Sequence, residues 1–462
     1  MNVKKIVLVV MCLHSAVILP SMLRTRSSSP LLFNIMDVLS EDKYVSISLF
    51  NSRSFDPSHI AESLTINGKS SFTLDEGSKT QAANVNGDIN PNWLALSNGG
   101  SESYKSTVTF TPKVKTCGLL LHFNSKYKEK YFFDVKTALL RVGTQVSILE
   151  KGGGDGITAS LKNFQDVMNN SNFNYGKIGN GHKKIGIDNI QFVAGMIHDF
   201  KLSSDNENIL AGYLIVELPT GRGTKAESMF EPRVGHNHLG LGVGVDEYYM
   251  TGSSQVVVGA NWRYLFGAKE KRSFDLKGKP WSRYIRMIPL PSSTGTGTRR
   301  NAEAFNAINV LTLDATVKMG NELNGYLRWL KKLKNNVECE IGYNILYRQK
   351  EQISDLASFS SSFGVDYLAA PNGATLNKAD MKSSRSTHVW DAKKENPGKA
   401  ITLADVDPIS AAAGAIVMSS LMARCEYLGD RFRGGFGLAF EGAHSKSAYA
   451  SWNGWANLGY VF

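Results

Sequence analysis

Ser451-Trp452-Asn453-Gly454-Trp455-Ala456-Asn457-Leu458-Gly459-Tyr460-Val461-Phe462 is the stretch that decides the fold. Trp452, Ala456, Leu458, Tyr460 and Phe462 share one parity, and Asn453, Trp455, Asn457 and Gly459 hold the other. That is the strand period, in which successive side chains face opposite ways. Working outward, the pattern recurs. Phe432, Phe436, Leu438 and Phe440 alternate with Arg431, Arg433, Gly435, Gly437 and Glu441. Cys339, Ile341, Tyr343 and Ile345 alternate with Glu338, Glu340, Gly342, Asn344 and, further on, Arg348. Val256, Val258, Ala260, Trp262 and Tyr264 alternate with Gly259, Asn261 and Arg263.

A soluble sandwich also alternates, but its strands average about 5–6 residues, and these runs are about twice that. At roughly 3.3 Å per residue and a tilt near 40°, eleven residues cover roughly 28 Å, the height of an outer-membrane apolar band. Aromatics recur at the run ends, where interfacial girdles sit: Tyr248, Tyr249, Tyr347, Tyr427, Trp452, Tyr460 and Phe462. In lipid an unpaired backbone group costs several kcal/mol, so a spanning sheet must close on itself. The expectation is an all-β, closed antiparallel transmembrane β-barrel, apolar outside and polar inside.

Composition agrees. In 462 residues, 42% hydrophobic and 20% charged, there are 22 Phe, 17 Tyr and 7 Trp, too many aromatics for a disordered chain. Glycine is abundant at 43 and proline scarce at 13, which suits strands that bend and pack closely. Repeated apolar runs of about 20 residues, which a polytopic helical protein needs, are missing. Residues 1–21 read as a signal peptide: Lys4 and Lys5 precede the apolar run Ile6–Leu19, too short to span comfortably. A retained anchor is the competing reading. The net charge of +11 allows anionic partners. No motif selects nucleic acid, and the local concentration of cations at Arg263–Arg286 reads as a solvated loop. Cys117, Cys339 and Cys425 each fall in an apolar strand-like run and read as small buried or lipid-facing hydrophobes rather than a disulfide framework.

The strand count is about 14, within a range of 12–16. Candidates near the start are 105–111, 116–123 and 130–142. Candidates at 281–289 and 306–319 also fall within the wall. This divides the chain into a signal peptide (1–21), an N-terminal periplasmic or plug segment (22–104) and the barrel (105–462). The middle segment holds one strand-like piece, Val45-Ser46-Ile47-Ser48-Leu49. The short connections Gly429–Asp430, Lys334–Asn336, Met250–Ser254 and Lys201–Glu207 are placed in the periplasm. The long ones at 349–411, 267–280, 219–236 and 143–187 are placed outside. Residues 290–305 break that alternation as a long periplasmic link, and 112–115 and 320–321 as short outer ones. Thr158–Met168 is weakly amphipathic.

Leu210–Pro219 followed by Thr220-Gly221, and the strand Leu239-Gly240-Leu241-Gly242-Val243-Gly244, resemble outer-membrane proteins of the phenol meta-cleavage pathway type, similar to the long-chain fatty-acid transporters. The resemblance spans some 50–60 residues. It implies a 14-stranded barrel with an N-terminal hatch and passive uptake of hydrophobic compounds. Leu458, Tyr460 and Phe462 resemble the signal through which the barrel-assembly machinery recognises its clients, although Asn457 stands where a glycine is usual.

Three functions are weighed. The first is an outer-membrane channel for passive uptake of small molecules, hydrophobic ones included. Its lumen candidates are Asn261, Arg263, Glu338, Glu340, Asn344 and Arg348, together with Arg431, Arg433, Glu441, Asn453 and Asn457; mixed charge across a lumen creates a transverse field. The bland alternative for each is a solvated or paired wall residue. The second is a structural or adhesive surface barrel, with Lys269, Lys271 and Arg272 facing phosphate groups of lipopolysaccharide. The third is a rim-site hydrolase. No G-x-S-x-G, H-E-x-x-H or P-loop is present, so no enzyme is expected. His236-Asn237-His238 lacks a neighbouring carboxylate or Cys in sequence, so no metal or cofactor is expected. The partners implied are outer-membrane lipid, lipopolysaccharide, the barrel-assembly machinery and a small solute.

Overall fold

The computed structural model describes residues 43–75, 88–89, 91–94, 96, 104–153, 163–179, 181–203, 206–289, 305–365 and 400–462. The signal-peptide expectation for 1–21 lies outside them. Twelve strands form the wall: β1 Lys43–Ser54, β2 Lys105–Tyr127, β3 Tyr131–Gly153, β4 Ile190–Ser203, β5 Asn206–Leu218, β6 Gly240–Thr251, β7 Ser254–Leu265, β8 Gly320–Lys332, β9 Val337–Arg348, β10 Ile416–Leu428, β11 Phe432–Ala443 and β12 Ser451–Val461. Every consecutive pair is antiparallel, and β1 closes the ring by pairing with both β2 and β12.

The count corrects the expected 14 to 12 for local reasons. The pieces 105–111 and 116–123 are one strand, β2. Pro112 falls within it, in the stretch 112–115 that was expected to be an outer connection. It sits where β2 has no neighbour on one side: pairing with β1 ends at Lys115, and pairing with the short strand Ser71–Asp75 begins at Thr109. A residue without an N–H is tolerated there. The candidates at 281–289 and 306–319 leave the wall. Their ordered parts, Arg286–Pro289 and Thr312–Lys318, belong to small sheets beyond the barrel. Leu313, Ala315 and Val317, the residues that a wall strand would turn to lipid, are buried in the cap instead. The strand that was not counted is β1, which contains Val45–Leu49.

Hydrophobicity is inverted relative to a soluble barrel. Leu214 is 62% exposed, Leu438 55% and Leu458 64%, whereas inward Glu322 and Arg348 are almost fully buried. Exposed aromatics ring both ends of the belt: Tyr127, Tyr131, Tyr249, Tyr427 and Phe432 at one, and Trp262 and Phe266 at the other. This is the covering expected of lipid rather than water.

Short turns gather at one end. Among them are Lys128–Lys130, Gly252–Ser253, Leu333–Asn336 and Gly429–Arg431. All the long excursions leave from the other end, so the first end is periplasmic and the second external. The breaks in alternation at 112–115 and 320–321 vanish because both stretches lie within strands. The described part of 55–104 lies at the external end, not the periplasmic one. There, the helix Pro57–Glu62 seats Ile60 against Phe50, Val114, Leu140 and Trp455 inside the mouth.

The external loops fold together as a cap. One apolar core joins Phe72, Phe110, Phe164, Phe230, Trp281 and Tyr284. A second joins Phe274, Leu313, Phe363, Ile401 and Val406. The amphipathic stretch near 158–168 is helical at Phe164–Met168, and its earlier residues lie outside the described part. Cys339 and Cys425 are joined in a disulfide between directly opposed positions of β9 and β10, their Cα atoms 4.2 Å apart. This corrects the reading of both as unpaired hydrophobes. They are 86 residues apart in sequence, and only the strand register brings them together.

Candidate functional site: a charged and aromatic lumen

Alternation along the wall aims most of the expected lumen residues inward. Arg263, Glu338, Glu340, Asn344, Arg348, Arg433, Glu441 and Asn453 are buried on the inner face, and Asn261 and Asn457 are half-buried there. Arg431 is corrected. It lies exposed in the turn before β11, because the strand begins one residue later.

The inward groups form two tiers. The upper tier lies at the external mouth. Arg263 on β7 donates to Glu217 of β5 at 2.9 Å and also bonds Glu322 of β8. Arg348 of β9 donates to Glu322 at 2.6 Å. Above it, Glu270 bonds Arg233, lies 2.6 Å from Arg272, and meets His238 at 2.9 Å; Arg272 also reaches Glu351 at 3.2 Å. These residues come from three separate loops, so the network ties cap to wall. His236 joins the two sets, its ring nitrogen 2.8 Å from Glu217. Burial pushes both His236 and His238 below the ordinary imidazole value, although their carboxylate partners pull the other way. Burial alone would raise the Glu270 carboxyl, but Arg233, Arg272 and His238 hold it well below the ordinary range.

This corrects two expectations. Arg272 does not face phosphate from the surface; it is fully buried. Lys271 pairs with Asp314 at 3.4 Å and stands over the Tyr175 ring. The cations between Arg263 and Arg286 are not simply a solvated loop, since Arg263, Arg272 and Arg283 are all ion-paired. The fold also supplies each histidine of His236-Asn237-His238 with the carboxylate that its sequence neighbours lack. Arginines share both carboxylates and oppose a bound cation. Among the described residues no cluster has the makings of a metal site.

The lower tier lies nearer the periplasm. Arg328 of β8 bonds Glu340, donating at 2.9 Å from Nη2, and Arg424 of β10 donates to Glu340 at 2.5 Å. Asn457 donates to Glu426 at 2.7 Å. Arg433 stands over the Tyr44 ring, 5.6 Å from its centroid. At the external end of β11 and β12, Ser451 donates to Glu441 at 2.8 Å. Asn344 donates to Asn324 at 2.5 Å. Beside the charged ladder, on β3, β5, β6 and β8, is an arc that the sequence did not single out as lumen lining: Phe132, Tyr213, Ile215, Tyr248, Tyr326 and Leu330. Tyr213 and Tyr326 both bond Asp246 of β6. The missed signal was parity. Tyr213 and Tyr326 lie on the inward face of their strands, and so does Tyr248, which corrects its expected place in the girdle beside Tyr249. Ser48 Oγ, Asn324 Nδ2, Ser420 Oγ and both side-chain ends of Asn453 are buried without a protein partner.

The expected assembly signal lies on the outward face at the periplasmic end. Leu458 and Phe462 are exposed, and Tyr460 is in ring contact with Phe432 and Phe462.

No family model and no curated protein matches the chain. Solved structures do. An outer membrane channel from Pseudomonas putida F1 aligns with 92% of this chain and 97% of its own, at 10% identity and a TM-score of 0.41. The toluene transporter TodX of Pseudomonas putida aligns with 96% and 95%, at 8% identity and 0.32. The translocator domain of the autotransporter NalP from Neisseria meningitidis aligns with 94% and 93%, at 10% identity and 0.32.

Proposed function

We propose that the barrel is an outer-membrane channel for passive uptake of small molecules that combine an apolar or aromatic body with a polar group, and that it is not an enzyme. The observation that carries this is the two-sided lining of its periplasmic half. The aromatic arc around Tyr213, Tyr248 and Tyr326 shares the lumen with the ladder Arg328–Glu340–Arg424–Glu426. A charged wall orients a polar group, and an apolar wall accepts the body that a salt-lined pore would slow. The unpartnered inward groups on Ser48, Asn324, Ser420 and Asn453 need hydrogen bonds that water or a solute in the lumen would supply. The cap, latched through Glu270, closes the external entrance at rest.

The test is permeation in liposomes holding the full-length protein. Small aromatic alcohols should enter faster than sugars of equal mass, and faster still once the cap is loosened. If neither class enters with the cap loosened, the channel reading is wrong. The cap has its own apolar cores, so a surface-binding role is the second reading. Binding that survives a blocked lumen but is lost on trimming the cap would favour it. We also propose that Leu458, Tyr460 and Phe462 engage the assembly machinery and that residues 1–21 direct export. Removing Phe462 should lower the amount of folded barrel in the membrane without changing its synthesis.

A further inference from the structure

The outward face carries one arc that lipid tails alone do not explain. Arg53 on β1 lies opposite Trp452 on one side and Lys115 on the other, and Lys115 lies opposite Gly143 on β3. Gly143 in turn lies opposite Lys183, in the short strand His182–Ile187 that continues the sheet. One lateral row therefore reads Trp452, Arg53, Lys115, Gly143, Lys183. The next row towards the periplasm reads Asn51, Cys117, Arg141, Ile185, and the one after it Leu49, Leu119, Leu139, Ile187. Arg53, Lys115, Arg141 and Lys183 are all exposed, and among the described residues no carboxylate pairs with any of them. At Gly143 the row has a notch, bounded by the Lys183 stem 3.6 Å from where a Cβ would stand.

Height places this arc. From the girdle residue Tyr127 to Cys117 is ten residues, roughly 33 Å of strand and about 25 Å along the membrane normal, which is the height of the apolar band. The cations thus stand at the external headgroup level, directly above the leucine row. Elsewhere on this rim outward positions such as Leu218, Leu239, Phe266, Asn321, Tyr347 and Ser419 carry no charge. Four unpaired cations on strands about 4.8 Å apart repel one another unless an anion joins them.

We propose that this arc binds the phosphorylated headgroup of an outer-leaflet glycolipid, with its acyl chains lying along Leu49, Leu119, Leu139 and Ile187. The proposal rests on the reading of an outer-membrane barrel with its long loops outside. The test is native mass spectrometry of the full-length protein in detergent with bis-phosphorylated lipid A, with the same lipid stripped of phosphate, and with inorganic phosphate as competitor. The phosphorylated lipid should be retained at least about tenfold better than the stripped one, since several surface cations act on its phosphates together. The variant R53Q/K115Q/R141Q/K183Q should lose that preference. The variant K43Q/K331Q, altered at the periplasmic end, should keep it. If the fourfold variant does not fold, Lys115→Gln with Lys183→Gln serves instead and should weaken the preference. Equal retention of the two lipids, an unchanged preference in the variants, or displacement by inorganic phosphate alone would overturn the proposal. Heat-modifiable gel mobility of the wild-type protein reports separately on the barrel: its absence would overturn the underlying reading, whereas its presence without phosphate preference would overturn only this arc.

Discussion

Glu270 holds two arginines that no loop could bury alone. Replacing it in Glu270→Gln leaves Arg233 and Arg272 short of their shared counter-charge, a change that costs about 3–5 kcal/mol where burial persists. The expected outcome is a cap open to protease on a barrel that still shows heat-modifiable mobility, with higher conductance in planar bilayers. The histidines give this latch a pH dependence. Burial sets His236 and His238 below the ordinary 6.5, so between that value and their depressed one the unfolded cap binds more protons than the folded cap. Cap stability is therefore present above about 6.5 and falls as pH drops through it. Glu270, depressed below its ordinary 4.5, adds stability that is lost at still lower pH. Hydrogen exchange at Ala268–Ser273 should be faster at pH 5 than at pH 7.5 after correction for the intrinsic rate, while β6 and β7 stay protected. Inside the wall, a Cβ on Gly259 would stand 2.3 Å from the Tyr326 ring. Gly259→Val should push that ring off Asp246 and cost about 1–3 kcal/mol, read as a lower temperature for loss of the fast-migrating band.

At the scale of elements, the pair β9–β10 bears the most strain on chain connectivity, because residues 349–415 separate its strands. The Cys339–Cys425 bond closes that loop and restricts the unfolded chain. Its removal by Cys339→Ala with Cys425→Ala should lower resistance to urea by about 2–4 kcal/mol without altering the strand pairing. A tryptic digest of wild-type protein should contain a linked peptide pair that reduction separates. β1 is the other decisive element. Without residues 43–54 the edges of β2 and β12 would face lipid unpaired, and such edges are not tolerated there. That deletion should abolish the heat-modifiable band altogether.

For the molecule as a whole, the asymmetry between the two ends governs behaviour. Among the described residues only turns cross the periplasmic mouth, whereas the external mouth carries three short α-helices, three small sheets and two apolar cores. Replacing 268–318 with a short turn should raise single-channel conductance and leave the barrel assembled. If conductance is unchanged, the resistance lies in the lumen rather than in the cap.

Parity along single strands was legible in the chain itself. Leu458 out and Asn457 in, or Tyr343 out and Asn344 in, follow from the two-residue period of a strand, a local property that no distant contact alters. The closed barrel, its lipid-covered exterior and most of its inward charges were legible on that basis. What parity cannot carry is register and partnership. Val45–Leu49 was readable as a strand, but not as the strand that closes the ring, because its partners Leu458 and Leu121 lie far along the chain. Thr312–Lys318 alternates as well as any wall strand, and only the cores beneath the cap show that it never meets lipid. The disulfide, the arginine–carboxylate tiers and the aromatic arc were likewise settled by tertiary structure, since each depends on which strands stand side by side and on how far one has slid along the next.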